Sequence, residues 1–134
     1  MFSTLIFPEL LQHFLNSEQP HTHMGKPIMV FDCTFDLMNP ELGQQQYDAS
    51  HIPGAIYVNL DTHLSAKNDA TAASGGRHPL PSREKFAAWL SSIGFTNGHQ
   101  AIVYDRNDMN YCGRLWWMLK WVGHESVAVL DGGL

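Results

Sequence analysis

Four short apolar runs recur along the chain: "IMVFDC" (Ile28 to Cys33), "AIYVNL" (Ala55 to Leu60), "AIVYD" (Ala101 to Asp105) and "VAVLD" (Val127 to Asp131). Their apolar positions are consecutive and do not alternate, the pattern of strands buried on both faces. The segments between them follow a different period. Pro8 suits a first helical turn, and Leu10, Leu11, Phe14 and Leu15 recur at helical spacing. Ser82 is placed to cap a helix over "REKFAAWLSSI", with Phe86, Leu90 and Ile93 on one face and Gly94 as its stop. Leu115, Met118, Leu119 and Val122 define another helix, ended by Gly123. "NSEQPHTHMGKP" and "SAKNDATAASGG" are polar or small throughout and read as surface connections. Strands alternating with helices predict an α/β fold, a parallel sheet flanked by helices on both faces. Any site is then expected in the loops at the carboxyl ends of the strands.

Composition narrows the function classes. A chain of 134 residues with 44% hydrophobic content is expected to form one domain with its own core. The net charge is −5 and the eight Lys and Arg residues are scattered, so nucleic acid and anionic membrane are excluded as expected partners. The start, "MFSTLIFPELLQHF", is apolar but short, is interrupted by Pro8 and Glu9, and has neither a basic leader nor a small-residue cleavage site. No apolar run is long enough to span a bilayer. Cys33 and Cys112 lie far apart without a CxxC, which suggests neither a disulfide framework nor a zinc site, and a cytoplasmic location is expected. Eight histidines raise a metal question, but His21 and His23 fall in a polar linker and the others form no i, i+4 pair or HExxH; no metal and no cofactor are expected.

Candidate chemistry sits at the strand ends. Asp32, Asp61, Asp105 and Asp131 all lie at or just after them, which would gather carboxylates along one rim, although aspartates in such places commonly cap helices or accept hydrogen bonds in turns. Pro53 and Gly54 make a tight turn into the second strand, and His51 before it is expected to close a helix end. Gly132 and Gly133 permit a turn that residues with side chains would strain. The tryptophans of "RLWWMLKW" read as helix packing and interdomain surface.

The series "YDASHIPGAIYVNLD", "GRHPLP" and "IVYDRNDMNYCGRLWWMLKWVGHESVAVLDGG" resembles the rhodanese family, in particular the first domain of two-domain thiosulfate and 3-mercaptopyruvate sulfurtransferases. The likeness runs from about Ile28 to Gly133. It implies a rhodanese-like sheet in which Asp105, followed by Arg106, opens a pseudo-active loop. Catalytic members carry a cysteine there, held by converging backbone N–H groups, and a carboxylate cannot carry sulfane sulfur. Cys112, at a helix start where the helix terminus would lower a thiol's pKa, is the alternative nucleophile, with Cys33 behind it. The phosphatases that share the fold need Cys at the loop start and Arg at its end, and are excluded.

The resemblance further implies that Asp61 and His78 lie beside the catalytic cysteine of a second domain, where they handle a proton, and Arg77 is expected to attract a small anionic sulfur donor. The expected organisation is a single rhodanese-like domain over 1–134, truncated before its closing helix, whose partner is a C-terminal catalytic rhodanese domain absent from this chain. Two functions follow: the inactive domain of a sulfurtransferase that passes sulfur from thiosulfate or 3-mercaptopyruvate through a cysteine persulfide to cyanide or a thiol, or a stand-alone rhodanese-like module for binding or regulation.

Overall fold

In a computed structural model, which describes residues 2–16 and 26–134, the apolar runs supply four of the five strands of a parallel sheet. The elements in chain order are β1 (Leu5–Ile6), α1 (Pro8–Leu15), β2 (Ile28–Asp32), α2 (Leu42–Ala49), β3 (Ile56–Tyr57), α3 (Arg83–Ser92), β4 (Gln100–Tyr104), α4 (Cys112–Trp121) and β5 (Val127–Leu130). In space the strands run β1-β5-β4-β2-β3. Successive side chains point to opposite faces of a strand, so the runs divide the core in two. Phe31, Val103 and Val129 pack with Phe86 and Leu90 of α3 and Leu115, Met118 and Leu119 of α4. Val30, Ile102 and Ala128 pack on the other side with Leu11 and Phe14 of α1, and Tyr47 of α2 lies against them. This is the expected α/β sheet with helices on both faces.

Local signals account for the helix ends. The Ser82 hydroxyl accepts the Lys85 N–H at 3.2 Å, the expected cap of α3. His51 donates from Nδ1 to the Tyr47 carbonyl at 2.7 Å and stacks on the Tyr47 ring, closing the end of α2 as expected. The second apolar run departs from its expectation. Only Ile56 and Tyr57 are strand, because after the Val58 N–H has bonded to Asp32 O the Asn59 side chain accepts the N–H groups of Asp61 and Thr62 and turns the chain. His21 and His23 lie outside the described residues. Among the described residues no helix is long and apolar enough to cross a membrane.

Two elements lacked a legible strand or helix pattern. β1 is two residues long and pairs with β5 at the sheet edge. The segment leading into it is fastened by the buried Gln100 side chain, which accepts the Phe2 N–H at 2.9 Å and donates to Phe2 O at 2.8 Å. The α2 sequence "LGQQQYDA" is mostly polar, and its buried residue is Gly43. A Cβ at Gly43 would stand 2.2 Å from the Thr34 carbonyl oxygen and 2.5 Å from the Tyr57 hydroxyl, so backbone proximity docks this helix. Gly43→Ala is therefore expected to cost about 1–3 kcal/mol through forced displacement of α2, read as a lowered denaturation midpoint.

Candidate functional site

Because β2, β4 and β5 run parallel, Asp32, Asp105 and Asp131 share the carboxyl rim of the sheet, but two of these carboxylates are turned to internal work. Asp105 is buried. Its Oδ1 accepts the N–H groups of Asn107 at 2.9 Å and Met109 at 3.0 Å, and its Oδ2 those of Tyr111 at 3.0 Å and Cys112 at 2.9 Å. Four main-chain donors thus converge on one carboxylate. The convergence depends on Asp108 and Met109 holding φ of 56° and 69°, a region that side-chain-bearing residues seldom adopt. Gly133 closes the loop from the β5 side. Its φ is 64°, and a Cβ there would lie 2.5 Å from the Asp105 carbonyl oxygen. A recess of about 170 Å³ remains, lined by Asp105, Arg106, Asp108, Met109 and the Gly132–Leu134 end.

The Arg106 guanidinium reaches the end of β2. Its Nη1 lies 3.0 Å from Asp32 Oδ2 and 2.9 Å from Thr34 Oγ1, and its Nη2 donates to the Ser50 carbonyl. The buried Asp32 carboxylate also accepts the Tyr104 hydroxyl at 2.9 Å and the Thr34 N–H at 2.9 Å. Arg106 therefore fastens the loop to β2 and to the end of α2.

The thiols do not behave as the helix-terminus argument expected. Cys112 is fully buried, its N–H is spent on Asp105, and burial together with the adjacent carboxylate drives its thiol pKa up, opposite to the expected lowering. Burial likewise raises Cys33, with further contributions from Cys112, Asp105 and Asp32. Desolvation is the largest cause of both shifts, because both side chains are buried.

Asp61 and His78 are brought together. His78 Nε2 lies 3.2 Å from Asp61 Oδ1, and Lys67 Nζ approaches the same oxygen at 2.8 Å. Both are at ion-pair distance from Oδ1 but out of line for a hydrogen bond. Arg114, in the first turn of α4, donates from Nη2 to Leu64 O at 2.7 Å and to His78 O at 2.9 Å. That first turn therefore joins the two halves of the site: its start caps Asp105 and its arginine holds the His78 loop. Arg77 is exposed. Lys67 and Arg114 had not been singled out from the sequence; Lys67 sits in an aperiodic polar loop, and Arg114 reads as an ordinary polar position on α4. A wider groove of about 570 Å³, lined by Leu11, Leu15, Ile52, Leu130 and Leu134 among others, has no ionisable side chain among the described residues that line it and does not include Asp61 or His78. Among the described residues no group of three His, Cys, Asp or Glu side chains is arranged to hold a metal ion.

The rhodanese-like domain family matches residues 11–134. The chain belongs to the rhodanese-like family. It is 36% identical over 122 residues to the probable 3-mercaptopyruvate sulfurtransferase of Pseudomonas aeruginosa, a match spanning 90% of this chain and 42% of that protein. It is 32% identical over 115 residues to the 3-mercaptopyruvate sulfurtransferase of Homo sapiens, covering 82% of this chain and 36% of that one. The solved structure of the Escherichia coli 3-mercaptopyruvate sulfotransferase SseA superposes with a TM-score of 0.75 at 26% identity, over 99% of this chain and 46% of that chain. This rhodanese-like chain thus spans less than half the length of these three relatives, and it is a rhodanese-like domain similar in sequence to one part of them.

Proposed function

We propose that this rhodanese-like domain is the non-catalytic amino-terminal half of a two-domain sulfurtransferase, with Asp105 where the catalytic half carries its cysteine, and that it supplies Asp61 and His78 to a cleft completed by a C-terminal catalytic rhodanese domain. The observation that carries the reading is the Asp105 carboxylate, which already takes up four loop N–H groups of the kind a thiolate or persulfide would need. The remaining thiols, Cys33 and Cys112, are buried and held protonated. Both are free, which fits a cytoplasmic setting.

In the proposed reaction the partner domain's thiolate attacks the donor sulfur. With thiosulfate the S–S bond breaks and sulfite leaves with the electron pair, needing no proton. With 3-mercaptopyruvate the C–S bond breaks and the pair goes to carbon as the enolate of pyruvate, which must take a proton. Cyanide or a thiol then removes the terminal sulfur of the persulfide. In this reading His78, beside Asp61, gives the proton, and the exposed Arg77 attracts the small anionic donor; the 3.2 Å approach of His78 to Asp61 supports it.

The 134-residue chain alone is expected to form no thiocyanate from thiosulfate and cyanide above background, and no pyruvate from 3-mercaptopyruvate and a thiol. Turnover that disappears in Cys112→Ser would overturn the proposal and place the nucleophile in this domain.

A further inference from the structure

We infer that Lys67 is a positioning residue of the same site, holding the Asp61 carboxylate against His78. The inference rests on the proton-handling role proposed for that pair and extends it to a third side chain. Its basis is how two segments distant in sequence are pinned together. The Ala66 N–H donates to the Pro79 carbonyl at 2.8 Å, which sets the residue before Lys67 beside the residue after His78. Arg114 bridges the same two segments independently, through Leu64 O and His78 O. Asn68, with φ of 59°, turns the chain directly after Lys67. Lys67 Nζ and His78 Nε2 therefore flank one oxygen, at 2.8 and 3.2 Å.

The neighbouring charges leave this arrangement few alternatives. Asp69, two residues beyond Lys67, is occupied by Lys85 and by the Thr71 hydroxyl and N–H. His63 accepts the Asn59 N–H through Nδ1 and stacks on Trp89. Arg114 is committed to carbonyl oxygens. Asp61 is the acid in contact with both Lys67 and His78. A carboxylate gripped on one side by an ammonium has fewer orientations available, so the His78 ring faces a fixed carboxylate and keeps one pose toward the substrate. The Lys67 side chain is 43% exposed against 18% for His78, so replacing it removes a charge and little packing.

The test uses the full-length enzyme with both donors. In Lys67→Met, kcat with 3-mercaptopyruvate is expected to fall roughly tenfold while KM and the thiosulfate rate stay near wild type, and Lys67→Arg is expected to restore most of the loss. Combined with Asp61→Asn, Lys67→Met should add little, since the carboxylate it positions is gone. A KM increase at unchanged kcat would make Lys67 a donor-binding cation and overturn the inference, as would equal losses with both donors. If His78→Ala lowers the 3-mercaptopyruvate rate and Lys67→Met does not, the inference fails and the proposed function stands. If neither does, the proton-handling reading itself falls.

Discussion

Replacing Asp105 by alanine is expected to destabilise this domain by about 3–5 kcal/mol, a loss that would consume much of the 5–15 kcal/mol typical of a single domain. The side chain is small, so packing is a minor part of this figure. The larger part is the simultaneous loss of an acceptor by the N–H groups of Asn107, Met109, Tyr111 and Cys112. Hydrogen bonds to a charged group contribute about 1.5–3 kcal/mol each, and the total falls short of four times that because the loop relaxes and water enters. Asp108 and Met109 keep positive φ only while their surroundings over-determine it, so the loop should reopen toward ordinary backbone conformations once the carboxylate is gone. Asp105→Asn should be nearly as damaging. Its amide keeps one acceptor oxygen but turns an NH₂ toward two N–H groups, setting donor against donor. Urea denaturation of the 134-residue chain measures both variants. A loss below about 1 kcal/mol in each would show that the four amides find other partners and that Asp105 is not the keystone of the loop.

The sheet was largely legible in the sequence, for a physical reason: β4 and β5 are buried at every position, and a strand covered on both faces has no polar alternation to disguise it. Ser82 and His51 were legible as helix ends because capping acts over three or four residues. What escaped was structure carried by the main chain. The α2 segment docks through the missing side chain of Gly43, and hydrophobic patterning has no symbol for such an approach. The end of "AIYVNL" was lost to Asn59, whose side chain accepts the Asp61 and Thr62 N–H groups and turns the chain away from the sheet.

The site divides along the same line. Asp105 could be recognised as occupying a nucleophile's position, but the four amides that meet its carboxylate belong to the backbone and leave no trace in composition. The pull of a helix terminus on Cys112 was a sound local argument overridden by tertiary burial. Lys67 reaches Asp61 only because Ala66 pairs with Pro79, a contact between two loops that sequence spacing cannot forecast.

In the proposed two-domain sulfurtransferase, His78→Ala is expected to lower kcat with 3-mercaptopyruvate by about 10²–10⁴-fold, the usual range for losing general acid assistance, while changing the thiosulfate rate by only a few fold. The asymmetry comes from the leaving groups. Sulfite departs from thiosulfate as a stable anion, whereas breaking the C–S bond of 3-mercaptopyruvate leaves an enolate that must be protonated at carbon. His78 is mostly covered but not sealed, with 18% of its side chain exposed, so a substrate in a closing cleft can reach it. Its carbonyl, not its ring, is what Arg114 holds, so the loop should survive loss of the imidazole. Asp61→Asn should act in the same direction and more mildly, because it weakens the ring's orientation and leaves the proton donor in place. The double variant should fall short of the product of the two losses, since Asp61 acts through His78. Steady-state kinetics with the two donors, on variants shown to melt like the parent, decide the matter. Equal losses with both donors would mean that His78 shapes the cleft without moving a proton, and full activity with both would leave Asp61 and His78 as parts of the scaffold.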